Sequence, residues 1–456
     1  MDYEEIVIGG GPGGYLAAER AGQAGLSTLL IENAHVGGTC LNEGCIPTKT
    51  LLRSAKLYKS CLEGSAYGVS CKDVKIDHRF VVERKRKVTS NLISGVTASL
   101  RAAKVKTING TAIIKGRNSD GIVVSVGDKD FSCRNLIIAS GSSPIIPNIQ
   151  GLDKAMESGF VMTSTGILEL DSVPETLCII GGGVIGLEMA TYFAMIGSKV
   201  HVIEAADKIA GALDKDIAAV IQKGCQDLGI DIHVDTKAVA FEDGTVTVSK
   251  DGSETTVSCD KVLLCIGRKA NVQNIGLESL GIPYSVNGIK VDEYCLTGVP
   301  NVYAVGDCTG QNMQAHVAYR QAEVAIGAIL GKNDPMRWAC VPGLVHTEPE
   351  AAFVGLSDAE AKEAGIDTVV SKLSMNFSGL YLAENEGGTG IIKLVFDRKK
   401  KTLIGAQIAG GPASDLITIC GMMIENQLPV DRMKEYVFPH PTNAEAIREA
   451  IFAAKL

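Results

Sequence analysis

Two stretches of the chain follow one pattern of apolar and polar positions. Glu5-Ile6-Val7-Ile8 opens a short apolar run, a glycine turn follows, residues 15–25 form a helix-compatible stretch, and residues 27–32 are apolar again. Short buried runs on either side of a longer helical segment predict a strand–helix–strand unit with parallel strands. The same order returns at residues 176–204, with strands over 177–180 and 199–204 and a helix over 185–197. A repeat of this kind predicts two nucleotide-binding units. Between them, the apolar run over 136–141 ends at small residues, and Pro144, Pro147 and Gly151 mark a linker. Residues 241–266 alternate apolar with polar around Asp-Gly turns at 243–244 and 251–252, the pattern of antiparallel strands. From about residue 343 the pattern changes: strands over 391–396 and 402–409 flank a charged turn, and helices over about 413–426 and 443–454 follow.

The fold class expected is α/β, with two Rossmann-like dinucleotide-binding domains and a C-terminal α+β domain. The boundaries are 1–150, 151–269, 270–342 as the second part of the first domain, and 343–456. A length of 456 residues is well above the size at which one hydrophobic core stops growing, and 51 glycines suit a protein rich in strand-to-helix turns. A net charge of -8 argues against nucleic acid or an anionic membrane as partner. The basic run Arg84-Lys85-Arg86-Lys87 reads as a solvated helix face, and Lys399-Lys400-Lys401 as an exposed hairpin turn. No apolar run approaches the roughly 18 residues of a membrane span. The acidic N-terminus runs straight into a strand, unlike a secretory or transit peptide, and 13 mostly isolated cysteines point to a reducing compartment, so a cytoplasmic location is expected.

The chemistry concentrates in three places. Gly9-Gly10-Gly11-Pro12-Gly13-Gly14 fits G-x-G-x-x-G between a strand and a helix, with Glu32 closing the next strand. Glycines let backbone amides approach a pyrophosphate at the positive helix end, and the acid accepts bonds from a ribose. Gly181-Gly182-Gly183-Val184-Ile185-Gly186 repeats the motif with Glu204 in the acidic position. A carboxylate there repels the 2′-phosphate of NADP, so NAD is favoured. The third place is Gly37-Gly38-Thr39-Cys40-Leu41-Asn42-Glu43-Gly44-Cys45-Ile46-Pro47-Thr48-Lys49. In an ideal helix, Cα atoms five residues apart are about 8 to 9 Å from each other, beyond the roughly 7 Å limit for a disulfide. Gly44 is therefore expected to distort the first turn and bring the sulfurs together. A helix N-terminus with Lys49 nearby would lower a thiol pKa.

With these motifs together, the whole chain resembles the pyridine nucleotide-disulfide oxidoreductase family, and most closely its members that oxidise dihydrolipoamide. Asn301-Val302-Tyr303-Ala304-Val305-Gly306-Asp307 resembles the family's second FAD motif, and His440-Pro441-Thr442-Asn443-Ala444-Glu445 its HPTxxE segment. The resemblance implies FAD and NAD as cofactors and a redox-active Cys40–Cys45 pair. It implies that His440, oriented by Glu445, acts as acid/base toward the dithiol of the partner subunit in a homodimer. It places Lys49, paired with Glu188, at the flavin, with His316 nearby. The other five histidines read as surface or packing residues. Cofactor contacts are implied for Thr39, Ala112, Ser140, Gly141, Gly306, Asp307 and Ala315 on the flavin side, and for Ala238 and Gly267 on the NAD side. The chain's turn 267–271 would return from the NAD domain. The implied partner is a lipoyl-bearing protein of a 2-oxo-acid dehydrogenase complex or a glycine cleavage system.

Three positions depart from the family pattern. Glu43 lies between the cysteines, where its charge is expected to raise the thiol pKa values or alter the potential; Thr48 replaces Ser; Phe438 takes the place of a further His. Two other readings compete. Another NAD(P)H-dependent disulfide reductase is one, although the last cysteine, Cys420, leaves no C-terminal cysteine pair. A flavin-binding scaffold without turnover is the second; it predicts bound FAD but no rapid reduction of a disulfide by NADH.

Overall fold

The computed structural model describes residues 1–456 apart from Ala212. Its first unit is built on β1 (Tyr3–Ile8), β2 (Thr28–Glu32) and β3 (Lys106–Asn109), which pair in parallel in the order β3-β2-β1. β4 (Ala112–Asn118), β5 (Gly121–Val126) and β6 (Lys129–Ile138) form an antiparallel meander whose last strand joins β1 in parallel. The strand Val302–Ala304 adds to β6. The chain therefore returns to the first unit after leaving it. α1 (Pro12–Gln23) joins β1 to β2, and the short α2 (Gly38–Asn42), α3 (Cys45–Glu63) and α4 (His78–Ala102) fill the crossover to β3.

The second unit holds β7 (Val161–Met162), β8 (Thr176–Ile180), β9 (Lys199–Ile203), β10 (Asp231–His233), β11 (Lys237–Glu242), β12 (Thr245–Lys250), β13 (Ser253–Ser258) and β14 (Lys261–Leu264). A parallel sheet of order β10-β9-β8-β14-β7 carries α5 (Val184–Met195) between β8 and β9. The alternating stretch 241–266 divides. β11, β12 and β13 form the expected antiparallel sheet, but β14 enters the parallel sheet beside β8, because its Val262, Leu263 and Leu264 are buried on both faces. After this unit come α6 (Ala315–Ile329) and an antiparallel sheet of β15 (Pro342–Val345), β16 (Ala351–Gly355), β17 (Thr368–Ser374), β18 (Ile391–Asp397) and β19 (Thr402–Ala409), in the order β15-β16-β19-β18-β17. α7 (Ala413–Glu425) and α8 (Glu445–Ala453) pack on it through Ile417, Cys420, Ile447 and Ile451. The architecture is mixed α/β, with two doubly wound units and an α+β unit, as the periodicity predicts.

The apolar contacts cross between units. Leu51, Leu52 and Ala55 of α3 share one buried cluster with Leu187 and Ala190 of α5. The basic run on α4 is only partly a solvated face. Lys85 is 2% exposed, and its Nζ donates to Leu168 O at 2.7 Å and to Glu169, which also pairs with Arg86. Its desolvation is offset by that carboxylate and carbonyl. Lys399, Lys400 and Lys401 do form the exposed β18–β19 turn.

Glu5 stands out at the start of β1. It is fully buried, neither carboxylate oxygen has a hydrogen-bond partner, and burial holds its pKa well above the usual carboxylate range. The folded chain therefore keeps a proton that the unfolded chain releases above about pH 4.3. That contribution is present below this pH and is lost as pH rises toward the folded value. The slope should be visible as falling stability with rising pH in denaturant titrations, and Glu5→Gln should remove it. Glu5→Leu, which also removes the buried polar group, should stabilise the protein at pH 8 by about 1–3 kcal/mol. Identical pH profiles for wild type and Glu5→Gln would contradict this.

Candidate functional site

Both glycine motifs fold in the same way. At Gly14 an added Cβ would lie 1.7 Å from Gly9 O, and at Gly186 it would lie 2.0 Å from Gly181 O. These two glycines do not line the cavity; they let α1 and α5 press against the preceding strands, as the third glycine of such a motif does. Gly11 caps α1 and Gly183 caps α5, neither with a side-chain hydrogen bond, so first-turn amides are left for a ligand. The acids match as well. Glu32 accepts from Gly10 N at 2.5 Å and from Ala34 N at 2.7 Å, while Glu204 accepts from Gly182 N at 2.6 Å and from Ala206 N at 2.7 Å. Each carboxylate is fixed by its own glycine turn and presents its remaining lone pairs to the cavity.

That cavity has a volume of about 940 Å³ and is shared by both motifs. Gly9, Gly11, Pro12, Gly13, Glu32, Thr39, Ala112, Ser140, Gly141, Gly306, Asp307 and Ala315 line it on one side. Gly181, Gly183, Val184, Ile185, Glu188, Glu204 and Gly267 line it on the other. Cys40, Cys45, Lys49 and His316 lie between. Helix ends without side-chain caps, with fixed acids behind them, fit two dinucleotides meeting at the cysteines. Ala238 does not line the cavity; it sits on β11, packed beside a separate apolar cluster.

The helix through the cysteines is interrupted. α2 ends at Asn42, Glu43 N closes onto Thr39 O at 2.8 Å, and α3 starts afresh from Gly44 with Cys45 in its first turn. The break falls at the glycine that the spacing singled out. Both residues are free thiols here, half-buried, and each acts on the other's acidity. Cys40 is pushed far up by Cys45 and by desolvation, and Cys45 is brought down to about 7 by Cys40, with Lys49 adding to the effect. Lys49 Nζ contacts Glu188 at 2.7 and 2.9 Å, and Glu188 is buried on α5. Glu43 bears on something else: it accepts from Thr165 at 3.2 Å, and its charge acts on Arg268.

Several lining residues carried no signal of their own in the sequence. Arg268 donates to Ser142 O and Oγ, both at 2.7 Å, and to Thr39 Oγ1 at 3.4 Å, while Ser142 also bonds Asp307. His346 N donates to Glu188 at 3.0 Å. The hydroxyl of Tyr319, which lines the cavity, meets that of Tyr15 behind it at 2.6 Å, with burial raising both pKa values. The thiols of Cys178 and Cys259 also act on each other's acidity, but they are buried away from this cavity. His440 and Glu445 are not in the cavity either. Their side chains meet at 2.8 Å, with His440 78% exposed, beside a surface that bears Tyr436, Val437 and Phe452.

Residues 3–322 match the family model described as "Pyridine nucleotide-disulphide oxidoreductase", and residues 341–451 match the dimerisation domain of the same name. Dihydrolipoyl dehydrogenases of Mycoplasma genitalium and Geobacillus stearothermophilus are each 36% identical to the chain. The match covers 99% of this chain in both cases, and 99% and 96% of those proteins. Among solved structures, LpdA from Mycobacterium tuberculosis superposes with a TM-score of 0.89 at 25% identity, covering 98% of this chain and 99% of that one. The HOCl-induced flavoprotein disulfide reductase RclA from Escherichia coli gives 0.86 at 27% identity, with 99% of each chain covered.

Cys45 should become a thiolate as pH rises through about 7, so alkylation of the dithiol protein by iodoacetamide should show an inflection there. Cys40→Ala and Lys49→Met should each move the inflection upward, every unit representing about 1.4 kcal/mol. An inflection unmoved in both variants would refute the charge arrangement.

Proposed function

The chain belongs to the pyridine nucleotide-disulphide oxidoreductase family, and within it we propose that the protein is a dihydrolipoyl dehydrogenase. It oxidises protein-bound dihydrolipoamide to lipoamide and reduces NAD+. The observation that carries this reading is the acidity-split thiol pair placed where two dinucleotide sites meet. The full-length likeness to dihydrolipoyl dehydrogenases supports the substrate. We read residues 1–150 and 270–342 as the FAD unit, 151–269 as the NAD unit and 343–456 as the interface of a homodimer. The partner is a lipoyl-bearing protein of a 2-oxo-acid dehydrogenase complex or a glycine cleavage system. Among the described residues no helix is long and apolar enough to cross a membrane, and we place the protein in the cytoplasm.

The Gly9–Gly14 turn, Glu32 and Asp307 would hold FAD, which when bound would supply a two-electron carrier between the cysteines and NAD. The residues of the chain do the rest. In the oxidised pair, a substrate thiolate attacks Cys40 Sγ, breaking the Cys40–Cys45 bond and leaving Cys45 as the thiolate. Its position at the α3 N-terminus beside Lys49 stabilises that charge. The second substrate sulfur then attacks the mixed disulfide, releasing lipoamide and Cys40. His440 of the partner subunit takes the proton from the first substrate thiol and gives it up to solvent, and the proton of the second substrate thiol passes to Cys40 as its thiolate leaves. Exposure of His440, its distance from its own cavity and its anchoring by Glu445 suit a base that works across an interface. Glu204 sets the preference for NAD by repelling a 2′-phosphate.

The test is NAD+-dependent oxidation of dihydrolipoamide by the holoenzyme, together with thiol counting after anaerobic NADH. Wild type should turn over and expose two additional thiols. Cys40→Ser and Cys45→Ser should abolish turnover. His440→Gln should lower kcat by about 10²–10⁴. Glu445→Gln, which removes one charge-assisted hydrogen bond of about 1.5–3 kcal/mol, should lower it by about 10–100-fold. Bound FAD with no thiols formed by NADH would favour a scaffold over an enzyme.

A further inference from the structure

At the outer edge of the second parallel sheet, three side chains with metal-binding donors converge. His201 lies on β9, and Asp231 and His233 lie on β10, the edge strand. His201 stands opposite Asp231 in the parallel register, and Asp231 and His233 are two residues apart, so strand alternation puts all three on one face. Their donor atoms lie within 4.8 Å of one another. His201 Nδ1 is 3.2 Å and His233 Nε2 3.0 Å from the same oxygen, Asp231 Oδ2, and the two rings stack with centroids 5.9 Å apart.

Donors that share one ion at about 2.0–2.2 Å are spaced about 2.9–3.5 Å apart along an octahedral or tetrahedral edge. Both nitrogen–oxygen separations fall in that range. His233 Nε2 is shut off from solvent on a side chain that is 37% exposed, and it faces Asp231 Oδ2, as His201 Nδ1 does, so one carboxylate already holds both rings turned toward a common point. None of the three residues lines the dinucleotide cavity, and the proposed reaction uses none of them.

We propose that His201, Asp231 and His233 form a binding site for a divalent transition-metal ion of the Zn²⁺ type. Two imidazole nitrogens and one carboxylate oxygen suit such an ion, whereas Mg²⁺ and Ca²⁺ favour all-oxygen sets. The ion ties edge strand β10 to β9. β9 leads directly into Glu204, the acid fixed to the second glycine turn, so the site clamps the strand that carries the nicotinamide-nucleotide acid. Lys199, two residues before His201 on the same face, opposes cation binding and limits its strength.

The experiment uses oxidised holoenzyme stripped by a chelator and titrated calorimetrically with ZnCl₂, alongside His201→Gln/His233→Gln. Zinc taken up by cysteines appears in both proteins and cancels. Wild type should bind one additional Zn²⁺ per chain, and zinc should slow backbone hydrogen exchange across residues 231–233 in wild type only. Asp231→Asn keeps both rings but removes the charge of the carboxylate ligand, so it should bind Zn²⁺ more weakly than wild type. Unchanged dihydrolipoamide oxidation by the variants without zinc shows that their fold is intact. Equal zinc uptake by wild type and the double variant, or protection that does not localise to 231–233, overturns the proposal. The outcome is separate from the redox assignment, which concerns a different cavity.

Discussion

Lys49 and Glu188 carry opposite charges across the boundary between the two nucleotide-binding units, and the position of the dithiol follows from their contact. Lys49 lies one helical turn after Cys45 on α3, while Glu188 projects from the helix that opens at the second glycine motif. Glu188 is 4% exposed, so leaving it without a cation would strand a buried charge. The pair does not stand alone: His346 N holds the same carboxylate from the C-terminal unit. Three units thus converge on one carboxylate, and the apolar contacts of α3 with α5 seal the boundary around it.

The duplicated glycine motifs show how one local geometry can serve two roles. Each turn is bound to its own acid by paired backbone amides, so the acid first fixes the turn and then faces the ligand. What separates the two sites is their surroundings. The first opens onto the cysteines and onto the Arg268–Ser142–Asp307 network, which is desolvated enough to lower the pKa of Arg268. The second opens onto Glu188 and the first turn of α5.

Much of this was legible in the sequence because it is local. A strand, a glycine turn and a helix lie within about thirty residues, and the C-x4-C stretch announces its own helix break at Gly44. The parts that were not legible depend on residues far apart in the chain. Lys85 reads as a surface cation until Leu168 and Glu169 cover it. Strand β14 continues an alternating pattern but is claimed by the parallel sheet. Ala238 stands away from the cavity although the family resemblance implied a cofactor contact there. His201 and His233 each look like ordinary strand residues, and only the β9–β10 register sets them beside one carboxylate.

The chain holds a second pair of neighbouring thiols, and its surroundings differ from those of Cys40 and Cys45. Cys178 and Cys259 also act on each other's acidity, and Cys259 is likewise lowered. Its charged neighbour, however, is Asp260, which works against a thiolate, and the pair is closed inside the NAD-type unit. Cys45 has the opposite environment: a cation on its own helix, a helix N-terminus and a wall of the shared cavity. The mutual effect of neighbouring thiols alone therefore does not distinguish the two pairs. The sign of the nearest charge and access to the cavity do, and both are set by elements that fold around Cys45 rather than by the cysteine spacing itself.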